Sequence, residues 1–344
     1  VEGSQLRVLV VGTGSAGCRH IENLLSLGAA VSAFRYRTKL AGELSSRYGI
    51  KVFTDLQEAL DSPQDAVVVA NRTDLHIPTA LDAAQRGSHL YIEKPLSNTM
   101  DGVMELREIV KEKELVVEVG FMMRFHPAIR TIHRLLTEGA VGRPYLARVS
   151  VGQYLPDWRP HTDYRLSYSA KADRGGGVLL DLVHELDYLY WYFGKVKEVT
   201  AFLDNVSDLR IESEDIAQLM LRFESGPVAQ VEMDYLSPLY RRSCEIVGDE
   251  GVMAWDHNSG DVVLQRRTDN GRKAVFPGPA AFERNMMFMD HMKHFLRRIE
   301  EGGEPSSGLE DAIDVQRIAL AARLSSANGT VQRPSDMDSE VHHG

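Results

Sequence analysis

The sequence predicts an α/β protein in two parts. A doubly wound parallel sheet fills the N-terminal third, and an α+β half with a mostly antiparallel sheet follows. Two observations carry this. Six short apolar runs alternate with helical patterns across about 120 residues, the rhythm of a parallel sheet covered by helices. After residue 122 the rhythm changes to longer runs of period two, which read as half-buried antiparallel strands.

The elements follow in order. Leu6–Val11 is a β-rich apolar run ending at Gly12, as a buried parallel strand requires. Residues of about 16–28 carry Ile21, Leu24 and Leu25 at helical spacing. Val31–Phe34 is a second strand, a helix over about 38–48 follows, and Lys51–Phe53 is a third strand. Thr54 or Asp55 caps the next helix, with Glu58 in its first turn. Asp65–Ala70 is the fourth strand, and Ile77–Arg86 is a helix that tolerates Pro78 in its first turn. Leu90–Glu93, a helix over about 99–113 and Leu115–Val119 complete the alternation.

In the second half Pro127–Gly139 is a helix and Tyr145–Val151 a strand. Further strands are expected at 196–204, 215–223, 228–235, 241–247, 252–255 and 261–265. Single helices are expected over about 178–193, 282–301 and 309–326, and a polar, frayed tail from about Arg333. The predicted domains are 1–122, 123–334 and a polar tail 335–344.

The 344 residues give room for two domains with ample core. With 39 basic and 49 acidic residues the formal charge is −10, which argues against nucleic acid or an anionic membrane as the main partner. Cys18 and Cys244 are too few for a disulfide framework and suit a reducing compartment. Cys18 reads as filler beside the first glycine turn. No run of eighteen apolar residues exists and no signal-like segment precedes the first strand, so a cytoplasmic protein is expected. There is no Cys-x-x-Cys or His-Glu-x-x-His, so no metal is expected. His291 and His294 lie three apart on a late amphipathic helix and read as part of a solvated face.

Three motifs carry chemistry. Gly12-Thr13-Gly14-Ser15-Ala16-Gly17 follows a strand and opens a helix. Its glycines allow a tight turn, close approach of a pyrophosphate, and close packing of helix on strand; the helix N-terminus offers free N–H groups to phosphate. Phe34-Arg35-Tyr36-Arg37 ends the second strand with no acid to hold a ribose 2′-hydroxyl. Arg35 and Arg37 suit a 2′-phosphate, so NADP is favoured over NAD, against the alternative of two solvated arginines.

Lys94 follows Glu93 at a strand's carboxyl end, where open α/β sheets bind ligands, and precedes Pro95. An ammonium there can stabilise negative charge developing on a substrate oxygen. In isolation the tripeptide also reads as a charged strand end. Gly175-Gly176-Gly177 leads to Asp181, His184 and Asp187, spaced three apart on one predicted helix face. A histidine held by a carboxylate is a suitable base near neutral pH. The alternative is that these groups bond within the core, or that Asp181 caps the helix. The aromatic loop 154–165, with Tyr154 and Trp158, suits a sugar ring or serves as an interfacial loop.

These residues together resemble the glucose–fructose oxidoreductase / inositol dehydrogenase / rhizopine-catabolism (Gfo/Idh/MocA) oxidoreductases over nearly the whole chain. The resemblance rests on the strand-linked glycine turn, Tyr91-Ile92-Glu93-Lys94-Pro95-Leu96, Val119-Gly120-Phe121 through Arg124-Phe125-His126-Pro127, and the glycine triplet leading to Asp181, His184 and Asp187. It implies an N-terminal Rossmann domain and a C-terminal domain with a large open-faced sheet that pairs with a partner's, giving a homodimer or homotetramer. It also implies hydride transfer between a nicotinamide and a carbon of a sugar, polyol or nucleotide sugar. By the same carry-over Lys94 polarises the oxygen, His184 takes the hydroxyl proton and Asp181 orients the site. Asn71, Thr73 and His76, with Glu93 and Lys94, line the cofactor, and Arg124 and Tyr154 reach the substrate. The family usually spaces the aspartate and histidine by four, whereas here the interval is three. Two other readings are a sugar-processing enzyme that holds NAD and cycles it, acting as a glycosidase or lyase, and a non-catalytic ligand sensor on the same fold.

Overall fold

The computed structural model describes residues 5–36 and 38–338. They form two compact units. One runs to Met122 and includes Arg284–Ile313; the other holds Met123–Glu283 and the residues from Asp314. The continuous domain expected over 123–334 is therefore interrupted. Its late segment joins the first unit because the stripe Phe288, His291, Met292 and Phe295 matches a helical face and buries against that unit's sheet and first helix.

In the first unit, β1 (Arg7–Val11), α1 (Ser15–Ser26), β2 (Ala30–Phe34), α2 (Ala41–Tyr48), β3 (Lys51–Phe53), α3 (Leu56–Asp61), β4 (Ala66–Val69), α4 (His76–Gln85), β5 (His89–Ile92), α5 (Val103–Glu112) and β6 (Val117–Val119) alternate. The sheet order is β3-β2-β1-β4-β5-β6, parallel throughout. The order reverses beside β1, the switch point at which such sheets bind ligands. Leu9, Val10, Val67, Val68, Leu90 and Tyr91 are fully buried, which accounts for their unbroken apolar runs. Asp55 caps α3 by accepting a 2.8 Å hydrogen bond from the Glu58 amide, as expected from its position.

In the second unit, α6 (Pro127–Thr137) and β7 (Pro144–Gly152) come first. Four short 3₁₀ turns between Leu155 and Arg174 replace any regular element there. Then come α7 (Val178–Asp181), α8 (His184–Phe193), β8 (Val196–Asp204), β9 (Ile216–Phe223), β10 (Val228–Asp234), β11 (Arg241–Gly248), β12 (Gly251–Asp256), β13 (Val262–Arg266) and β14 (Lys273–Phe276). The eight strands run β14-β13-β12-β11-β7-β10-β9-β8, antiparallel except for β7 beside β10. Ala147, Val149, Val151, Val231, Met233, Cys244 and Ile246 are buried on one face. The other is open, with Tyr145, Phe202 and Met220 exposed and ion pairs such as Arg148–Glu245 and Arg241–Glu232 across it.

Helix α9 (Arg284–Glu301) belongs to the first unit, and α10 (Leu309–Asn328) runs from the first into the second.

Several expectations need correction. The single helix over 178–193 is two helices, broken at Leu182–Val183. Strand β14 carries no clean alternation and escaped the pattern. His291 is fully buried rather than solvated: it bonds Glu118 at 3.0 Å, and Tyr91 at 3.2 Å. His294 also pairs with Glu118, at 3.3 Å. Burial works to raise the Glu118 carboxyl, but the bond and charge of His291, with the Ser306 and Ser307 amides, hold it below its usual range. The start of the tail is docked: Pro334 and Met337 are buried and Asp338 pairs with Arg317. Residues 339–344 lie outside the described residues.

Candidate active site

The glycine turn after β1 is built as its spacing requires. A Cβ on Gly12, whose φ is +98°, would lie 2.5 Å from the Ala70 carbonyl oxygen, and one on Gly17 would lie 1.9 Å from that of Gly12. Neither position admits a side chain. Gly14 differs: a Cβ there would meet nothing within 4 Å. Gly14 is the N-cap of α1, with no side-chain cap and no acid in the first turn. Its open space and the uncapped N-terminus over Ser15 and Ala16 leave N–H groups and a partial positive charge facing outward.

Arg35 folds back onto this turn. Its Nη1 donates to Thr13 Oγ1 at 2.9 Å and to the Thr13 carbonyl at 3.3 Å, and its buried Nε finds no protein acceptor among the described residues. Arg37 lies outside the described residues. After β4, Asn71 Nδ2 donates to Thr79 Oγ1 at 2.9 Å, while the buried Asn71 Oδ1 has no protein donor among the described residues. Thr73 is buried at the start of the turn that follows. These orphaned polar atoms, beside a turn with room above it, fit a dinucleotide.

Two histidines hold the end of β5. His20, on the buried stripe of α1, bonds Glu93 at 2.6 Å. His76 Nδ1 lies 2.9 Å from the Pro95 carbonyl, and its Nε2 lies 3.3 Å from that of Asn71. A neutral imidazole donates from one nitrogen only; the shorter contact marks Nδ1 as the donor. Burial dominates for His76 and pushes its pKa down, so the ring stays neutral. Burial would raise the Glu93 carboxyl, but the bond and charge of His20, with Lys94 and His76 beyond, hold it below the usual range. Lys94 is half-buried, and its peptide bond to Pro95 is cis. Gly120 packs against this segment: a Cβ there would lie 3.1 Å from the Glu93 carboxylate and 3.2 Å from the Lys94 nitrogen. His20 was missed by the sequence reading, although it shares one helix face with Gly17, Ile21 and Leu24, where a polar residue needs a partner.

The second unit carries the other candidate residues. The break after Asp181 means that Asp181 and His184 do not share a helix; Asp181 ends α7 and His184 begins α8. Both are 3% exposed. Asp181 Oδ2 accepts a 2.6 Å hydrogen bond from the Tyr235 hydroxyl. Asp187 is engaged by Arg124, whose Nη2 and Nε donate at 2.7 and 3.0 Å. Arg124 was expected at the substrate; it is instead 2% exposed and its fork braces α8 from the segment before α6. The next carboxylate, Glu185, is fully buried and takes a bidentate pair from Arg242 of β11, at 2.6 and 3.0 Å. Removing either partner of such a pair costs about 3–5 kcal/mol, because a charge is left buried and unmatched.

The glycine triplet makes room for the chain itself. A Cβ on Gly176 would lie 2.1 Å from the Tyr168 carbonyl, and one on Gly177, whose φ is +114°, 2.2 Å from the Glu214 carboxylate. Burial raises the Glu214 carboxyl above its usual range, more than Arg323 lowers it, and the charge of Asp181 adds to the rise. In the aromatic loop Tyr154 is exposed, while Trp158 meets Tyr235 edge to face at 5.3 Å. His126 caps α6 by accepting from the Ala128 amide; burial, with the charges of Arg242 and His257, pushes its pKa down to about 3. Tyr235, Glu185 and Arg242 were missed, since nothing near them in the sequence marks their partners.

A parallel sheet with a glycine turn at its switch point, beside a lysine braced at a strand end, defines a dinucleotide-dependent oxidoreductase. Comparison with known proteins agrees. The profile described as "Oxidoreductase family, NAD-binding Rossmann fold" matches residues 6–121, and that of the GFO/IDH/MocA C-terminal domain matches 129–254. The chain belongs to the GFO/IDH/MocA oxidoreductase family. It is similar to myo-inositol 2-dehydrogenase of Thermotoga maritima, 25% identical over 333 residues that cover 93% of this chain and 96% of that one. It is also 27% identical to levoglucosan dehydrogenase of Pseudarthrobacter phenanthrenivorans over 334 residues, 81% of this chain and 83% of that one. Among solved structures, levoglucosan dehydrogenase in complex with NADH shares the fold, with a TM-score of 0.86 at 24% identity over 96% of this chain and 99% of that one. No helix among the described residues is long and apolar enough to cross a membrane.

Proposed function

We propose that this protein moves a hydride between a nicotinamide and a carbinol carbon of a sugar, polyol or nucleotide sugar. The observation that carries the reading is Lys94, held at the carboxyl end of β5 by the Glu93–His20 and His76–Pro95 bonds beside a turn with open space above Gly14. The names of the similar dehydrogenases, for an inositol and for levoglucosan, support the substrate class.

The cofactor, when bound, supplies the hydride acceptor. The chain's own residues do the rest. The Lys94 ammonium donates to the carbinol oxygen and stabilises the charge that develops on it. His184 takes the hydroxyl proton as the C–H bond breaks, and Asp181 orients the group. Balance requires one hydride to the nicotinamide and one proton released per carbonyl formed. Gly12 to Gly17, Asn71, Thr73, His76 and Glu93 hold the dinucleotide, and Tyr154 and Trp158 offer aromatic surface to the sugar. Arg35 beside Thr13, with no acid at the end of β2, supports NADP over NAD. The open face of the eight-stranded sheet supports a homodimer or homotetramer.

The test is absorbance of the reduced nicotinamide with a panel of sugars, polyols and nucleotide sugars, each cofactor in turn. Net accumulation of reduced cofactor is expected; none, with sugar still transformed, would favour the redox-cycling alternative. Lys94→Ala is expected to lower turnover about 10²- to 10⁴-fold with cofactor binding intact, and unchanged turnover would remove the assignment.

A further inference from the structure

Asp181 sits where a single helix no longer sets its direction relative to His184. On one continuous helix a residue three positions before His184 would share its face. Here the helix is broken at Leu182–Val183, so Asp181 closes α7 while His184 opens α8. What directs the carboxylate comes from elsewhere in the chain. Tyr235, immediately after β10 and fully buried, donates its hydroxyl to Asp181 Oδ2 at 2.6 Å. Tyr168, in the 3₁₀ segment before the glycine triplet, lies near enough to feel the charge of the same carboxyl group.

The phenol of Tyr235 is anchored in turn. Its amide donates to the Asp215 carbonyl at 2.9 Å, and its ring meets Trp158 edge to face. The titratable groups facing Asp181 include Tyr235, Tyr168 and Glu214, whose carboxyl is raised in part by the Asp181 charge. Burial first, then the charge of Asp181, push both phenols well above their ordinary range. They remain O–H donors at any working pH.

We propose that Tyr235 is a positioning residue that aims the Asp181 carboxylate at the reacting hydroxyl, a task that one continuous helix cannot perform across this break. The Tyr235 hydroxyl donates to one carboxyl oxygen and fixes the orientation of the group. Asp181 then orients and stabilises, and the proton passes to His184. Trp158 ties the clamp to the aromatic loop, so the loop and the carboxylate share one support. The inference rests on the dehydrogenase reading above.

The test is a cycle with Tyr235→Phe, Asp181→Asn and the double variant, after wild type has been shown to reduce a nicotinamide with a polyol. Tyr235→Phe keeps the ring and the packing. It is expected to lower kcat about 10- to 100-fold with KM nearly unchanged, and to cost almost nothing further in the Asp181→Asn background. Tyr168→Phe is expected to lower kcat less. An unchanged kcat in Tyr235→Phe, a loss confined to KM, or the same loss in both backgrounds would overturn the proposal. If wild type reduces no cofactor with any sugar, the dehydrogenase reading fails by itself. The clamp is then decided by alkaline titration of tyrosinate absorbance. Asp181→Asn is expected to bring forward to lower pH an ionisation that Tyr235→Phe deletes, and identical titrations would overturn the clamp.

Discussion

Two glycine-rich turns, 12–17 and 175–177, look alike in sequence and do opposite work. The first surrounds an opening. Gly12 and Gly17 are forced by the chain's own backbone, but Gly14 faces free space at an uncapped helix N-terminus. The second has no opening. Gly176 is filled by the Tyr168 carbonyl and Gly177 by the Glu214 carboxylate. One turn reserves volume for a ligand, and the other reserves it for two loop segments of the same unit. A glycine motif therefore marks close approach, and only the approaching atom tells which kind.

The comparison can be broken by adding a single methyl group to each turn. Gly177→Ala is expected to have the largest effect, a loss of about 2–4 kcal/mol of stability from positive φ and overlap with Glu214, read by urea unfolding. Gly14→Ala is expected to leave stability within about 0.5 kcal/mol. It should weaken nicotinamide dinucleotide binding about tenfold, or about 1.4 kcal/mol, read by calorimetry, because the methyl enters the space a pyrophosphate would use. A destabilised Gly14→Ala with normal binding would show that the first turn serves packing too. The smallest effect is expected of Arg35→Ala: a several-fold weakening of NADP with NAD less affected, measured by the same titration. Equal losses would assign Arg35 to bracing Thr13 and not to a phosphate.

The two units also differ in how their polar groups were legible. In the first, the turn, the helix end and the strand end are set by neighbours in the chain, although the side-chain brace of the strand end, His20 on Glu93, spans seventy-three residues. His20 was not singled out, although it falls on the buried stripe of α1. In the second, the candidate site is made of side chains that meet across long separations. Asp187 finds Arg124 sixty-three residues away, Glu185 finds Arg242 fifty-seven away, and Asp181 finds Tyr235 fifty-four away. The stripe Asp181, His184, Asp187 pointed to the right segment but implied one helix where there are two. His291 misled for a related reason. Its helix carries enough charge to look solvated, yet its apolar stripe docks on the first unit and takes the histidine inside with Glu118.

Strand and helix periods, the glycine turn at the switch point, the lysine at a strand's carboxyl end and the change of rhythm near residue 122 are properties of short stretches, and the sequence alone determined them. Backbone geometry and side-chain period act over a few residues, so they are written where they act. Which carboxylate receives which arginine or phenol, where the 178–193 helix breaks, and that residues 284–313 return to the first unit were decided only by the tertiary structure. Those outcomes depend on burial, and burial is set by segments that the chain brings together from far apart.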